Sequence, residues 1–363
     1  MQDRRIGRLS ARAVPVDEAL RMLTLSEARY TGWTVQHFHE RWQTEHGGTR
    51  SYRWTKKTLQ AAGQVPRATR RGVPRKKRPR KPVPGMLRHQ DGSTHEWVPD
   101  GQGDVIVTLE DATTEIYSAF FVEEEGTLSR LRGLREVIGT QGLFSSLDTD
   151  RGSHYWHTDE AGGTVDKIRL TQEPRALPHV GVTRIPAYAP EARGRSERAF
   201  RTVQDRWPNE LALAGITERA AANRSLPEQV LPQHNDRVLV RATEPGTAFI
   251  PWVGTHLAEI LCVQEERVVA KDNTVRYQGL SLQIPQNPHR FHEVKVTVRV
   301  HAYPDGTLAV FQGPRCLARY HADGRLIEPE GESRRRKDPT PRSSARPIVD
   351  PRATVCDTIS ARG

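Results

Sequence analysis

A basic segment broken by prolines divides this chain and limits which parts of it can fold. From Arg67 to Pro82, arginines and lysines are interleaved with prolines, so no helix can persist and little apolar surface is available for burial. We therefore predict an extended basic linker over residues 66–84, with folded units on either side. Its basic side chains are Arg67, Arg70, Arg71, Arg75, Lys76, Lys77, Arg78, Arg80 and Lys81.

The charge of the whole chain indicates a polyanionic partner. A net charge of +11 over 363 residues is compatible with DNA, RNA or an anionic membrane, and charge alone does not choose among them. The linker can neutralise several phosphates and so give sequence-independent, salt-sensitive binding. The alternatives are a solubilising linker or a localisation signal, which the charge density beside a helical unit disfavours.

The chain lacks the marks of a membrane or secreted protein. No apolar run is long enough to cross a bilayer, and the first residues lack the hydrophobic stretch of a signal peptide. We expect a soluble, cytoplasmic, nucleoid-associated protein with no membrane partner. The three cysteines are far apart in the sequence, so neither a disulfide framework nor a structural zinc site is predicted.

Residues 1–65 are predicted to contain a compact helical unit. Apolar residues recur at near-helical spacing from Val16 to Leu25 and again from Val35 to Trp42, and Ser51 is a suitable N-cap for a third helix, Tyr52 to Ala62. This order is typical of a helix-turn-helix unit, whose last helix enters a major groove. A plain helical bundle with solvated lysines fits the pattern equally well. The DNA-contacting candidates on the third helix are Arg53, Lys56 and Lys57.

Residues 85–232 have the alternating order of an α/β fold. Val105 to Leu109 is a continuous apolar run typical of a buried strand, and Ile116 to Val122 is predicted to return beside it. An amphipathic helix over 128–138 and a short strand over 142–147 follow. After a polar, glycine-rich stretch, a strand over 180–185 leads into a helix over 192–206.

Three carboxylates in this region, Asp91, Asp150 and Glu197, lie in short polar segments that suit metal ligands. A single carboxylate is usually a surface residue, but hard divalent cations prefer such oxygen ligands, and a nuclease-type site needs several of them. Strand alternation does not decide between Asp148 and Asp150, whereas the Asp-Arg-Gly-Ser context favours Asp150. Arginines crowd around Glu197 and are further DNA-binding candidates: Arg193, Arg195, Arg198 and Arg201.

Taken as a set, these segments resemble the integrase core of DDE transposases, and more narrowly the ISNCY-type bacterial insertion-sequence transposases. The resemblance extends from about Arg4 to about Tyr320. Besides the three carboxylate segments, it rests on residues 110–114 (Glu-Asp-Ala-Thr-Thr), 185–190 (Ile-Pro-Ala-Tyr-Ala-Pro), 195–198 (Arg-Ser-Glu-Arg) and 267–275 (Arg-Val-Val-Ala-Lys-Asp-Asn-Thr-Val).

The resemblance implies an RNase H-like integrase core in which Asp91, Asp150 and Glu197 coordinate two Mg²⁺ ions, for which Mn²⁺ can substitute. One ion would activate the attacking water or 3′-hydroxyl and the other would stabilise the leaving oxygen. The implied activity is phosphodiester cleavage and strand transfer at the ends of an insertion sequence. The implied partners are double-stranded DNA of the ends and the target, and further copies of the chain on DNA. The resemblance marks Asp111 as structural.

The sequence departs from the family pattern in three places. Between Asp150 and Glu197 lie 46 residues, more than the commonest spacing, so residues 152–172 are interpreted as an insertion. Glu110 stands where the family usually has a second aspartate. A further helix-turn-helix usually precedes the point where this chain begins, so we expect a truncated or differently started copy. The alternative function is therefore an inactive or truncated copy that acts only as a DNA-binding regulator.

The last part of the chain is predicted to form short strands and a tail. Over residues 233–328, short apolar runs are separated by turn signals such as Asp305-Gly306, which predicts a small β-barrel. In relatives by resemblance this domain contacts DNA or another protomer, and the alternative is a stabilising appendage. Residues 329–363 are basic and contain several prolines, which predicts a disordered tail.

Overall fold

The computed structural model describes residues 14–67, 78–149, 156–157, 166–170, 172–186, 190–286 and 291–328. Within these ranges the fold is a mixture of helices and sheets, as the sequence predicts, and no helix has the length and apolar character needed to cross a membrane. Several predictions concern residues outside these ranges: Asp150, the linker residues Arg70, Arg71, Arg75, Lys76 and Lys77, and the tail 329–363. The side chain of Arg193 is also outside the description.

Three helices at the start of the chain pack around a small core, which confirms the three helices predicted from apolar spacing and from the N-cap residue Ser51. The hydroxyls of Thr34 and Ser51 cap the second and third helices by accepting hydrogen bonds from backbone amides. The buried side chains include Met22, Phe38 and Trp42. The helices are α1 (Val16–Arg29), α2 (Val35–Glu45) and α3 (Tyr52–Ala61).

A mixed five-stranded sheet forms the centre of the molecule. Its order is β3-β2-β1-β4-β7, in which β1, β2 and β3 are an antiparallel meander and β4 and β7 run parallel to β1. A separate two-stranded sheet, β5 with β6, lies in the stretch interpreted as an insertion. In chain order the elements are β1 (Arg88–Val98), β2 (Gly101–Glu110), β3 (Ile116–Val122), α4 (Thr127–Gln141), β4 (Ser146–Thr149), β5 (Trp156–His157), β6 (Asp166–Leu170), α5 (Gln172–His179), β7 (Thr183–Pro186) and α6 (Pro190–Leu213).

Helices cover both faces of this sheet, which explains the continuous apolar run in β2. Val105 and Val107 pack on the α6 side, in a cluster with Phe200 and Trp207. On the opposite face, Gln90 of β1 donates a hydrogen bond to Thr108 of β2 at 3.2 Å and another to a backbone carbonyl of α4. A strand buried on both sides has no polar face, so it does not alternate in sequence.

Helix α6 is longer than the predicted span of 192–206. It continues through Pro208 to Leu213, although proline has no amide hydrogen to donate to the preceding turn. Trp207 and Leu211, on either side of this proline, are almost fully buried in the core. Burial of these two side chains stabilises the last turns and offsets the lost hydrogen bond.

After α6, three helical segments return along the edge strand β3. The side-chain amide of Asn223 accepts a hydrogen bond from the backbone N–H of Phe121 at 2.7 Å and donates one to its C=O at 2.9 Å. Asn235 makes the same pair of hydrogen bonds with Ile116, at 2.9 Å each. These two asparagines satisfy edge groups that would otherwise be open to pairing with another strand. The segments are α7 (Arg219–Ser225), a π-helical turn (Leu226–Val230) and α8 (Leu231–Val238).

The last described part is rich in strands, as predicted, but forms two sheets. A four-stranded antiparallel sheet of order β13-β12-β11-β8 packs against the β9–β10 hairpin around a shared apolar core. Over residues 233–286 and 291–328 no closed barrel is found, since no ladder joins the hairpin to the larger sheet. The elements are α9 (Leu257–Ile260), β8 (Val263–Val268), β9 (Thr274–Tyr277), β10 (Leu280–Gln283), β11 (Thr297–Ala302), β12 (Leu308–Gln312) and β13 (Arg315–Tyr320).

Two glycines of α4 are expected to respond oppositely to substitution by alanine. A Cβ at Gly133 would lie 2.7 Å from the amide nitrogen of Gln90, which is buried and held by its own hydrogen bonds. Gly133→Ala should lower the free energy of unfolding by about 1 to 2 kcal/mol, because the packed sheet must move. Gly139→Ala meets nothing within 4 Å and should raise it by about 0.5 to 1 kcal/mol through helix propensity. Urea unfolding of both variants measures the difference, and equal effects would contradict the close contact.

Acid should weaken the packing of α8 against α6 through His234. Burial first, and then the charges of Arg206 and Arg237, lower the pKa of His234 from 6.5 to about 4. Its Nδ1 accepts a hydrogen bond from the Trp207 indole at 3.3 Å, which a protonated Nδ1 cannot do. Because the folded pKa is the lower one, this contribution is complete above pH 6.5 and is lost as the pH falls towards 4.

His234→Gln should therefore flatten the pH dependence of stability by about 3 kcal/mol between pH 6.5 and 4. The measurement is urea unfolding of wild type and variant at several pH values in that interval. His321→Gln, at an exposed position, is the control and should follow the wild type. An acid slope in His234→Gln as steep as that of the wild type would show that other groups carry the effect.

Candidate active site

Asp91 lies in β1 on the face of the sheet that α6 covers. Its neighbour Ser93 accepts a hydrogen bond from Gln204 of α6 at 2.7 Å, whereas Gln90 donates to the backbone of Arg130 in α4 at 3.0 Å. Because successive side chains of a strand point to opposite faces, His89, Asp91 and Ser93 share the α6 side. Asp91 is half-buried, and its carboxylate accepts the Gly92 amide at 3.2 Å.

Helix α6 runs beside β1 in the same direction and carries Glu197 along it. Arg195 contacts Asp111, which bonds His89, and nine residues later Gln204 bonds Ser93. Nine residues of helix rise about 13.5 Å and the four strand residues from His89 to Ser93 about 13 Å, so the two spans match.

Glu197 lies on α6 between Arg195 and Gln204, the two residues that make these contacts. In the same way, Asp91 lies on β1 between His89 and Ser93. It is seven residues from Gln204, and residues seven apart fall on the same face of a helix. Its side chain is exposed to solvent. The structure therefore brings the segments that carry Asp91 and Glu197 alongside each other.

The parallel pairing of β1 with β4 brings Asp148 to His89. These two residues are opposite each other in the ladder, and Asp148 Oδ2 lies 3.1 Å from His89 Nδ1. Asp148 is buried and committed to this contact. Asp150, the residue favoured by the sequence, lies outside the described ranges, so its role stays a prediction. In the described part of the chain no three acidic, histidine or cysteine side chains are grouped as metal ligands.

Asp111, which follows β2, is the centre of a buried network beside these residues. Its carboxylate accepts hydrogen bonds from His89 Nε2 at 2.9 Å, the Lys81 backbone amide at 2.7 Å and Arg78 at 2.5 Å, and it also contacts Arg195. Burial alone would raise the pKa of Asp111. Hydrogen bonds from His89 and Lys81, with the charges of His89 and Arg195, instead hold that pKa well below its ordinary value.

His89 lies between two carboxylates, those of Asp111 and Asp148. Burial alone would lower the pKa of His89, but its hydrogen bonds to Asp111 and Asp148 and their charges raise that pKa above its ordinary value. Both ring nitrogens can donate to carboxylates only in the protonated ring. A continuous chain of contacts thus joins the end of β2, β1 and β4.

The predicted DNA-binding side chains fall into two described groups. Arg53 and Lys57 are exposed on α3 and Lys56 is half-buried there. The second group surrounds the start of α6, where Arg198 and Arg201 are exposed. The linker was predicted to be extended with little burial, but its last residues are packed: Arg78 and Arg80 donate hydrogen bonds to Asp111, as does the backbone amide of Lys81.

The three-helix unit is fixed to the far end of α6 through charged contacts of α2. Glu40 accepts two hydrogen bonds from Arg206, at 2.7 and 2.9 Å. Glu210 contacts His37 at 2.6 Å and also Arg41. Sequence reasoning missed these pairs and the Asp111 network. The resemblance marked Asp111 as structural but gave none of its partners.

The comparisons with known sequences point to one kind of protein. No protein-family model matches the chain. A putative transposase, y4bF, of Sinorhizobium fredii (strain NBRC 101917 / NGR234) is 28% identical over 233 residues, which are 62% of this chain and 50% of the relative. The transposase for insertion sequence IS1202 of Streptococcus pneumoniae is 27% identical over 209 residues, which are 56% of this chain and 43% of the relative. The chain is thus similar to insertion-sequence transposases and spans half or less of the length of these relatives.

Solved structures give a looser match. A chain of the simian T-cell lymphotropic virus intasome in complex with PP2A regulatory subunit B56 gamma matches 85% of this chain and 100% of its own length, at 12% identity and a TM-score of 0.36. The HTLV-2 integrase catalytic core domain in complex with magnesium (dimeric form) matches 41% of this chain and 89% of its own, at 12% identity and a TM-score of 0.31. These TM-scores are low, and the likeness does not support any assignment of function.

Proposed function

We propose that this chain carries the catalytic core of a DDE-type DNA transposase, a polynucleotidyl transferase that cleaves and joins phosphodiester bonds at the ends of an insertion sequence. The observation that carries the proposal is the alignment of α6 with β1, which brings the segments of Asp91 and Glu197 side by side. The sequence similarity to insertion-sequence transposases supports the same assignment. We interpret the mixed sheet and its covering helices as an RNase H-like core.

The third proposed carboxylate is Asp150, which its Asp-Arg-Gly-Ser context favours over Asp148. His89 pairs with Asp148 in the parallel β1–β4 ladder. Asp150 follows Asp148 by two residues and lies outside the described residues, so its place in the site is part of the proposal. Asp148 is engaged by His89 and is the weaker candidate.

The oxygen donors of this trio suit Mg²⁺, or Mn²⁺ in its place, because hard cations prefer carboxylate ligands. Asp91, Asp150 and Glu197 would hold the ions, which when bound supply charge for the attacking and leaving oxygens of an in-line displacement. Asp91 is partly buried on a strand of the central sheet, which restricts its motion. Glu197 is exposed on α6 and accessible to a DNA strand.

The other parts of the chain are proposed to bind DNA and further copies of the chain. The helix α3 would enter a major groove as the last helix of a helix-turn-helix unit, with exposed Arg53 and Lys57. The linker would neutralise backbone phosphates. The strand-rich part after α9 would contact DNA or a second protomer in an oligomer assembled on transposon-end and target duplexes.

Removing any one proposed metal ligand should abolish cleavage while leaving DNA binding intact. Asp91→Asn, Asp150→Asn and Glu197→Gln each delete a charged oxygen ligand and little volume. We expect each to lower Mg²⁺-dependent cleavage and strand transfer by about a hundredfold or more. The measurement uses purified protein and labelled duplexes carrying the flanking DNA of the gene, with duplex affinity measured in parallel.

Asp205→Asn is the matched control, since Asp205 is an exposed carboxylate on the same helix. It should cleave like the wild type. Full cleavage by any of the three ligand variants would show that the wrong residue was chosen. Duplex binding by the wild type without any metal-dependent cleavage would favour the second function, a DNA-binding regulator.

The linker and α3 should contribute differently to DNA binding. Replacing Arg75, Lys76 and Lys77 with Gln should weaken binding to all duplexes equally, and should flatten the slope of log affinity against log salt by up to about 2.7. Arg53→Gln with Lys57→Gln should instead reduce the preference for end DNA over random DNA. Competition binding over a salt series measures both effects. An unchanged salt slope in the linker variant would exclude phosphate contacts by these three side chains.

A further inference from the structure

We infer that Asp111 organises Arg78, Arg80 and Arg195 into a binding site for a backbone phosphate of the DNA strand beside the catalytic carboxylates. This inference rests on the proposed function. It makes Asp111 a positioning residue that acts through the arginines it holds, without itself touching the reacting atoms.

Asp111 fixes two separate segments in one place. Its Oδ2 accepts the Lys81 amide at 2.7 Å, and its Oδ1 accepts Arg78 at 2.5 Å and contacts Arg195. Its backbone carbonyl accepts Arg80 at 3.0 Å. Arg195 in turn donates to the backbone carbonyl of Arg78 at 2.5 Å. The end of the basic linker and the start of α6 are therefore joined through one side chain.

The charges in this cluster do not balance. The guanidinium groups of Arg78 and Arg195 contact the fully buried carboxylate of Asp111, and that of Arg80 donates to the backbone carbonyl of the same residue. Burial, and then the charges of Arg195 and Arg198, lower the pKa of Arg80, so Arg80 lies in a positive field despite the nearby Asp111. Asp148, the other carboxylate beside this cluster, already pairs with His89. An anion that reaches Arg80 and Arg195 would relieve this excess of positive charge.

The position of the cluster selects the anion. Arg195 is two residues before Glu197 and one turn before Arg198, on the same helix. A guanidinium group can donate two parallel hydrogen bonds to two oxygens of one phosphate. A DNA strand bound at Asp91 and Glu197 carries phosphates on either side of the bond to be cut. Arg78, Arg80 and Arg195 are all partly exposed, so a phosphate can reach them without unfolding the network.

A phosphate-neutralising scan tests this site without requiring cleavage. Duplexes carrying a single methylphosphonate at successive positions around the cut site lack one charge each. In metal-free binding assays, we expect one such position to weaken binding by wild type about tenfold. The same substitution should have no further effect in Asp111→Asn, because the arginines are no longer held. An equal additional loss in the variant at every position would overturn the inference.

A second measurement reports on the hydrogen bond from the Lys81 amide to Asp111. Hydrogen exchange at the Lys81 amide should be slow in the wild type and should speed up in Asp111→Asn, whose side-chain amide cannot replace both carboxylate oxygens as acceptors. In cleavage assays, Asp111→Asn should lower kcat/KM by about tenfold to a hundredfold, and KM should rise by about the tenfold that binding loses. Fast Lys81 exchange in the wild type would show that the network does not form.

Asp104→Asn is the matched control. Asp104, on β2, is likewise buried and likewise accepts a backbone amide, that of Glu125, at 2.6 Å, but it lies seven residues from Asp111. It should keep the methylphosphonate effect and the wild-type kcat/KM. Loss of both in Asp104→Asn would assign the result to general destabilisation and overturn the inference. If wild type shows the methylphosphonate effect but never cleaves, the proposed function fails while the phosphate site stands.

Discussion

The packing of α6 on β1 is the interaction on which the rest of this structure depends. Its apolar half, with Phe200, Val203 and Trp207, is buried against β1 and β2. On opposite sides of this apolar face, Gln204 contacts β1 and Arg195 reaches the end of β2. Apolar burial supplies the attraction, and the two polar contacts fix the register of the helix on the strand. The same helix then holds the three-helix unit through its last turns.

The end of β2 shows how two adjacent acidic residues can both be buried. Glu110 is opposite Arg88 in the β1–β2 ladder and forms an ion pair with it, while accepting the Gly85 and Ala112 amides at 3.0 Å each. Asp111 uses His89, the next residue of β1. Breaking such a pair leaves an uncompensated buried charge, which costs more than the pair itself contributes. Glu110 therefore belongs to the framework, whereas Asp111 faces the arginines of the candidate site.

Local patterns were sufficient to predict the repeating parts of this fold. Apolar spacing predicted α1 and α2, the N-cap residue Ser51 predicted α3, and the apolar run of β2 predicted a buried strand, because these signals lie in neighbouring residues. The stop of α6 at residue 206 was wrong because tertiary burial of Leu211 overrides Pro208. Glu40 pairs with Arg206, 166 positions away in the sequence, and the local spacing of apolar residues gives no information about such a contact.

For the candidate site as well, the sequence predicted only what local composition indicates. Asp91 and Glu197 could be selected because their segments have a recognisable local composition. The role of Asp111 could not, because it depends on three partners brought together by β1, α6 and the linker. A segment as basic as this linker is expected to remain solvated, and one buried carboxylate reverses that expectation for its last residues. The described end of the linker therefore lies beside the candidate site, because Arg78 and Arg80 are held there by Asp111.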